Sequence, residues 1–235
     1  MTSARNAATH GVALLLIAHV AHAADRLQLD PAGLSPVQQQ VAGQTLADVQ
    51  SLLPDGLLRA LPTQVQVRWG ADLPAEVHGR AFAGRITLRR DLLDDRVPGA
   101  RRARRSALVH ELTHVADRGG AGWSRSARWR DLAGWQRKPW HLGRGHNDFR
   151  ARSPDGYELK DPAEYLAVNA EHFVLDAEFT CRRPALAQWY QEHFGTPPSL
   201  PQPQCDSRVP LLQAEPEEGA ASLLQLDPSR VYAVD

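Results

Sequence analysis

The segment His110-Glu111-Leu112-Thr113-His114 has residue types and a spacing that can do chemistry. On a helix, residues four apart lie on one face, one turn from each other. Two imidazole nitrogens can then meet at one point and bind a zinc ion at about 2.0–2.1 Å. Glu111 is wrongly placed to be a third ligand from the same helix. It can lean over a water held at the ion and act as general base. With 10 His and 10 Glu in 235 residues, random placement would produce this pattern in roughly two per cent of chains, so it needs a structural context to support it. Ala107, Leu108, Leu112 and Val115 give the segment its apolar surface. Ser106 is expected to cap its start, and Gly119-Gly120 to end it.

A catalytic zinc takes three protein ligands and a water. A histidine six residues beyond His114 is excluded, because position 120 is glycine. The next source is the stretch Asp161–Asp176, which opens with Asp161 as cap and Pro162 at the first helical position. Tyr165, Leu166, Val168, Phe173 and Leu175 make it a buried helix. It carries Glu164 and Glu171, two turns apart on one face. One of them can bind the ion while the other orients a ligand histidine. Glu164 has a competing structural role as a capping-box residue. Asp117 is expected to fix a ligand histidine or the helix end, with ligation as a lesser alternative. His141, His146 and His172 read as surface or core imidazoles.

These residues need a frame. Pro36–Leu53 reads as a packing helix capped by Ser35. Pro54-Asp55-Gly56 breaks it, and Leu57–Leu61 adds a turn. Gln64–Trp69 alternates polar and apolar side chains and reads as a strand. Gly79–Leu88 carries another, with a hairpin around Ala83-Gly84, and Asp91–Asp95 follows as a helical turn. Leu27–Ser35 reads as a linker, and Val97–Arg105 as a basic, Pro/Gly-broken lead into the His-Glu helix. Cys181–His193 reads as one helix with Ala185, Leu186, Trp189 and Tyr190 inward. Gly195–Pro203 is Pro-rich, and Arg230–Val234 is strand-like. Strands before helices predict an α+β fold: a small sheet, with an edge strand lining a cleft, then the two chemistry-bearing helices.

Net charge is formally zero, but it hides a strong separation. Residues 96–152 hold 14 Lys/Arg against 4 Asp/Glu, and residues 153–235 hold 5 against 14. Within the basic part, residues 119–152 form an insert with Trp123, Trp129, Trp135 and Trp140. These tryptophans are expected to pack the insert onto the body, with its arginines meeting C-terminal acids. No nucleic-acid recognition motif accompanies the charge. Residues 1–23 read as a signal peptide: Arg5, an apolar run from Gly11 to Val20, and Ala21-His22-Ala23 as cleavage site. The run is too short to span a bilayer, so no stable membrane insertion is expected after cleavage. The mature chain is then periplasmic or secreted. That compartment favours a disulfide between Cys181 and Cys205, the only cysteines. The domain organisation read from this is residues 24–204 as one domain and 205–235 as an acidic tail.

The combination of His-Glu-Leu-Thr-His110–114 with Asp117, then Tyr157 seven residues before Glu164 in Ala163-Glu164-Tyr165-Leu166-Ala167-Val168, resembles the glutamate-zincin metallopeptidases. The likeness is to the Mlc titration factor family and the catalytic-domain type of anthrax lethal factor. It spans roughly Arg105 to Phe194, with a gap at the insert. Leu166 departs from the pattern, standing where an aromatic is usual, and so do the basic insert and the signal segment. The resemblance implies a zincin-like fold and zinc held by His110, His114 and Glu164. It also implies Glu111 as base, Tyr157 as oxyanion donor, and a protein or peptide substrate. The alternatives are a zincin-like domain kept as a non-catalytic binding or regulatory module of the cell envelope, and a non-peptidase zinc hydrolase.

Overall fold

The computed structural model describes residues 26–75, 77–136, 141–142, 158, 160–198, 200–201 and 205. Residues 1–23, Tyr157, Trp140, His146 and Arg230–Val234 lie outside these, as does the side chain of His141.

The elements are β1 (Leu27–Asp30), α1 (Pro36–Leu52), α2 (Asp55–Ala60), β2 (Val65–Gly70), β3 (Gly79–Phe82), β4 (Arg85–Arg89), α3 (Ala100–Ala116), α4 (Ala127–Ala133), β5 (Trp135–Gln136), β6 (His141–Leu142), α5 (Pro162–Leu175), α6 (Phe179–Arg182) and α7 (Pro184–Phe194). The fold is α+β. Its main sheet has the order β1-β2-β4-β3, parallel except for the last pair. Among the described residues, strand β3 is therefore an edge of the sheet. On β2 the residues Val65, Val67 and Trp69 face inward while Gln66 and Arg68 face out, as the period-two alternation predicts. Ser35 caps α1 with a full capping box to Gln38.

The sequence reading needs four corrections here. Leu27–Ser35 is not only a linker, because Leu27–Asp30 pairs in parallel with Val65–Arg68. Such pairing rests on a distant partner and leaves little local trace. The His-Glu helix does not begin at Ser106. It begins at Ala100, after Gly99 turns the chain with φ 77°. Pro98-Gly99 breaks only what precedes it, and the Arg/Ala run beyond consists of good helix formers. Arg104 in that run is buried, and it donates to Thr45 at 2.9 Å and Asp95 at 2.6 Å. The insert is not a bare loop, since it holds α4 and the β5–β6 pair. Finally, Cys181–His193 is two helices broken at Arg183, Ala185 is exposed where Ala187 is buried, and Leu175 is only half-buried.

Helix α3 packs against β3 and β4 on one side and α5 on the other. Every residue from Ala107 to Ala116 is buried. The described tryptophans of the insert do structural work. Trp129 is fully buried, lies 4.5 Å from Trp189 between ring centroids, and donates its indole N–H to Pro162 O at 3.2 Å. Trp123 rests on Phe194 at 4.7 Å. Arg128 pairs with Glu192 at 2.6 Å, one of the acids of the C-terminal part. Cys181 and Cys205 form a disulfide, with Cα atoms 5.3 Å apart. Among the described residues, no helix is long and apolar enough to cross a membrane.

Two buried phenols set an alkaline limit on this core. Tyr190 donates to Leu166 O at 2.6 Å, and burial pushes its ionisation well above the usual value. Burial likewise pushes Tyr165 from 10.0 to about 12, with Arg183 opposing and Glu158 adding. The unfolded chain ionises these groups first. Stability should stay whole below pH about 10 and fall as pH rises towards about 12, with Tyr165 contributing about 2–3 kcal/mol of the loss. Urea midpoints between pH 9 and 11.5 should fall in the wild type and fall less steeply in Tyr165→Phe, where Tyr190 alone remains.

Candidate metal centre

Helix α3 sets His110 and His114 one turn apart, and their Nε2 atoms lie 3.1 Å from each other. Helix α5 brings the third group. Asp161 caps it by accepting from the backbone N–H of Ala163 at 2.8 Å and of Glu164 at 3.0 Å. The Trp129 indole holds the carbonyl of Pro162 in the same turn. Glu164 therefore sits in a turn fixed twice over. Its side chain goes to the histidines: Oε2 lies 3.0 Å from His110 Nε2 and 3.2 Å from His114 Nε2. All three residues are buried. Together they form a group that could hold a metal ion.

The donor set fits such an ion. Tetrahedral ligands at about 2.0–2.1 Å from zinc lie about 3.3 Å from one another, close to the three separations here. Glu164 Oε1 is buried and has no hydrogen-bond partner among the described residues. A buried carboxylate oxygen without a donor is costly unless something satisfies it, and a cation would.

Glu171, two turns along α5, reaches the other side of the same ring. His110 Nδ1 lies 2.6 Å from Glu171 Oε1, and Ser106 donates to Glu171 Oε2. A donated Nδ1–H fixes the tautomer that leaves a lone pair on Nε2, facing the cluster. Glu171→Ala should therefore weaken zinc affinity by about 10–100-fold without abolishing binding, as read by competition with a chromogenic chelator. Asp117 is buried outside the cluster. It accepts from Ser124 N at 2.9 Å and Ser124 Oγ at 2.6 Å, which secures the turn after α3. His172 stacks beside Phe179 at 6.4 Å.

Glu111 leaves the adjoining face of α3 towards strand β3. The strand passes so closely that a Cβ on Gly79 would lie 2.9 Å from both Glu111 Cγ and Oε1. Only glycine leaves the carboxylate room there. Burial raises the Glu111 pKa, the charges of His110 and His114 oppose this, Glu164 adds to the rise and Arg118 opposes it. The net rise moves the group towards the range useful to a general base. For Glu164, burial would raise the pKa, but hydrogen bonds from both histidines hold it well below the carboxylate range. For His110, burial acts downward, and the bonds to Glu164 and Glu171 overcome it.

A second polar network braces α5. Glu158 is fully buried and receives both arms of Arg183, at 2.8 and 2.9 Å. Asn169 on α5 donates to Glu158 at 3.1 Å and accepts from Arg183 at 2.5 Å. Sequence reasoning missed this network, along with the Ser106–Glu171 bond, the Trp129–Pro162 bond and the close approach at Gly79. A polar Asn169 within the apolar run from Tyr165 to Ala170 was the available signal.

Fold and site together define an α+β domain in which two helices close a buried His-His-Glu group able to hold a metal ion. The chain belongs to the family described as Domain of unknown function (DUF7844), matched over residues 26–129 and 121–203. The first match contains His110, Glu111 and His114, and the second contains Glu164 and Glu171. Comparison with curated proteins and with solved structures gives no match.

Proposed function

We propose that this chain is a zinc-dependent peptidase of the glutamate-zincin type, acting on protein or peptide substrates in the periplasm or outside the cell. The observation that carries the reading is the triangle of His110 Nε2, His114 Nε2 and Glu164 Oε2 with sides of 3.0–3.2 Å, with the buried Glu111 carboxylate on the adjoining face of the same helix. His110, His114 and Glu164 would hold the ion. Bound zinc would supply a Lewis acid, polarising a carbonyl and lowering the pKa of a water to about 7.

The remaining roles belong to the chain. Glu111 takes a proton from the attacking water and passes it to the leaving amine. Glu171 orients His110 through Nδ1. Tyr157, placed by the family resemblance, donates its hydroxyl to the oxygen that gains charge. Strand β3, the sheet edge beside Glu111, lines the substrate side. The Cys181–Cys205 bridge and the Ala21-His22-Ala23 signal pattern support an oxidising compartment. An intact, buried Glu111 speaks against a binding module, which has no use for a general base.

The test is metal content followed by cleavage. Protein purified without added chelator should hold about one zinc per chain and cut members of a mixed peptide library. Chelation should stop cutting and added zinc restore it. Zinc-loaded protein that cuts no peptide, or cutting that survives complete removal of metal, would overturn the proposal.

A further inference from the structure

Beyond Glu111, along the contact between α3 and the edge strand, lies a pocket of about 470 Å³ lined by Ala81, Phe82 and Arg85 from the β3–β4 hairpin and by Val115 and Arg118 from α3 and the turn after it. Val115 stands one helical turn beyond Glu111, and Arg118 donates to the Ala81 carbonyl at 3.0 Å. The helix and strand thus stay in contact from the Gly79–Glu111 approach to the Arg118–Ala81 bond. Two arginines line the pocket, and among the described residues no Asp or Glu does.

Several arginines elsewhere do have acids: Arg68 pairs with Asp72, Arg89 with Asp91, and Arg104 with Asp95. Arg85 and Arg118 have no ion pair among the described residues. Arg118 is also held in place by a strand carbonyl, which lowers the entropy lost when its free nitrogens take a ligand. Beside the cations stand Phe82, 71% exposed, and the apolar edge of Val115. A fixed guanidinium, a second cation and an apolar wall fit a carboxylate carried on a short aliphatic stem.

We infer that this pocket seats an acidic side chain, Asp or Glu, of a peptide substrate, with Arg118 as the primary cation and Arg85 as the second. Seven residues of helix separate Glu111 from Arg118, about 10 Å of rise. An extended peptide covers that distance in about three residues, so the acid belongs about three residues from the bond that is cut. The position of that bond rests on the peptidase reading. The binding of the acid does not.

The test uses the full chain as Glu111→Gln, loaded with zinc, and fluorescent peptides in which one glutamate is walked along a neutral sequence, each matched to its glutamine counterpart. The best-placed glutamate peptide should bind about tenfold or more tightly than its counterpart, and the ratio should shrink as salt rises. Adding Arg85→Gln and Arg118→Gln together should bring the ratio to about one. Arg118→Lys should keep part of the preference, and Arg85→Gln disturbs no side-chain hydrogen bond among the described residues. Equal binding of every glutamate and glutamine pair overturns the inference. So does a preference that survives the double substitution, or the absence of binding by any glutamate peptide. Wild-type protein that cuts both peptides of each pair equally keeps the peptidase and removes the pocket. A glutamate preference in binding, with no peptide cut by wild type, keeps the pocket and removes the peptidase.

Discussion

Glu111→Gln is expected to lower peptide hydrolysis by about 10²–10⁴-fold while leaving zinc content unchanged. Glutamine keeps the shape of the side chain, so it still fits beneath Gly79, where a Cβ would lie 2.9 Å from the Glu111 side chain. It cannot accept a proton from water. Zinc should stay, because the converging ligand atoms are those of His110, His114 and Glu164. Glu164→Ala should do the reverse: zinc falls from about one per chain towards zero, and hydrolysis disappears with it. Metal analysis and cleavage rates on the same preparations separate the two roles. If Glu111→Gln loses zinc, the glutamate holds the cluster together and is not the base. If it keeps full activity, another group takes the proton.

Arg183→Met is expected to cost about 3–5 kcal/mol of stability, the usual cost of removing one member of a buried ion pair. For a domain of this size that lowers the melting temperature by roughly 6–20 °C. The reason is the burial of Glu158, which is 0% exposed and takes both arms of Arg183. Burial alone would weaken the Arg183 charge, and Glu158 more than compensates, holding its pKa up. Adding Glu158→Gln to Arg183→Met should recover part of the loss, since the stranded charge is then gone. Calorimetry of the two variants checks this, and a loss below about 1 kcal/mol in the single variant would mean that water reaches Glu158. The consequence extends to the site. Asn169, clamped between Glu158 and Arg183, stands on α5 between Glu164 and Glu171. Loosening the clamp should therefore weaken zinc affinity as well.

Much of the site was legible in the sequence, for a local reason. The spacing of His110 and His114 puts two imidazoles on one face of any helix that forms there. Asp161-Pro162 announces a helix start, and the two-turn spacing of Glu164 and Glu171 aligns them on one face. Each of these rests on periodicity within one element. The cysteine pair was legible too, because only one pairing exists. The limits of elements were less so: β1 depends on a distant partner strand, and the start of α3 depends on neighbours that accept a buried Arg104.

What the tertiary structure decided is how elements meet. The sequence could place Glu164 and Glu171 on one face, but not rank them. The approach of α5 to α3 gives Glu164 to Nε2 of both histidines and Glu171 to Nδ1 of one, because the helix start is fixed by Trp129 and Asp161. The sequence could expect the tryptophans of the insert to pack, but only the structure supplied the partners: Trp189 and Pro162 for Trp129, and Phe194 for Trp123. The glycine at position 79 acquired a meaning only when a strand was laid against Glu111. Local patterns determine which side chains share a face. Packing between segments far apart in the chain determines which faces touch.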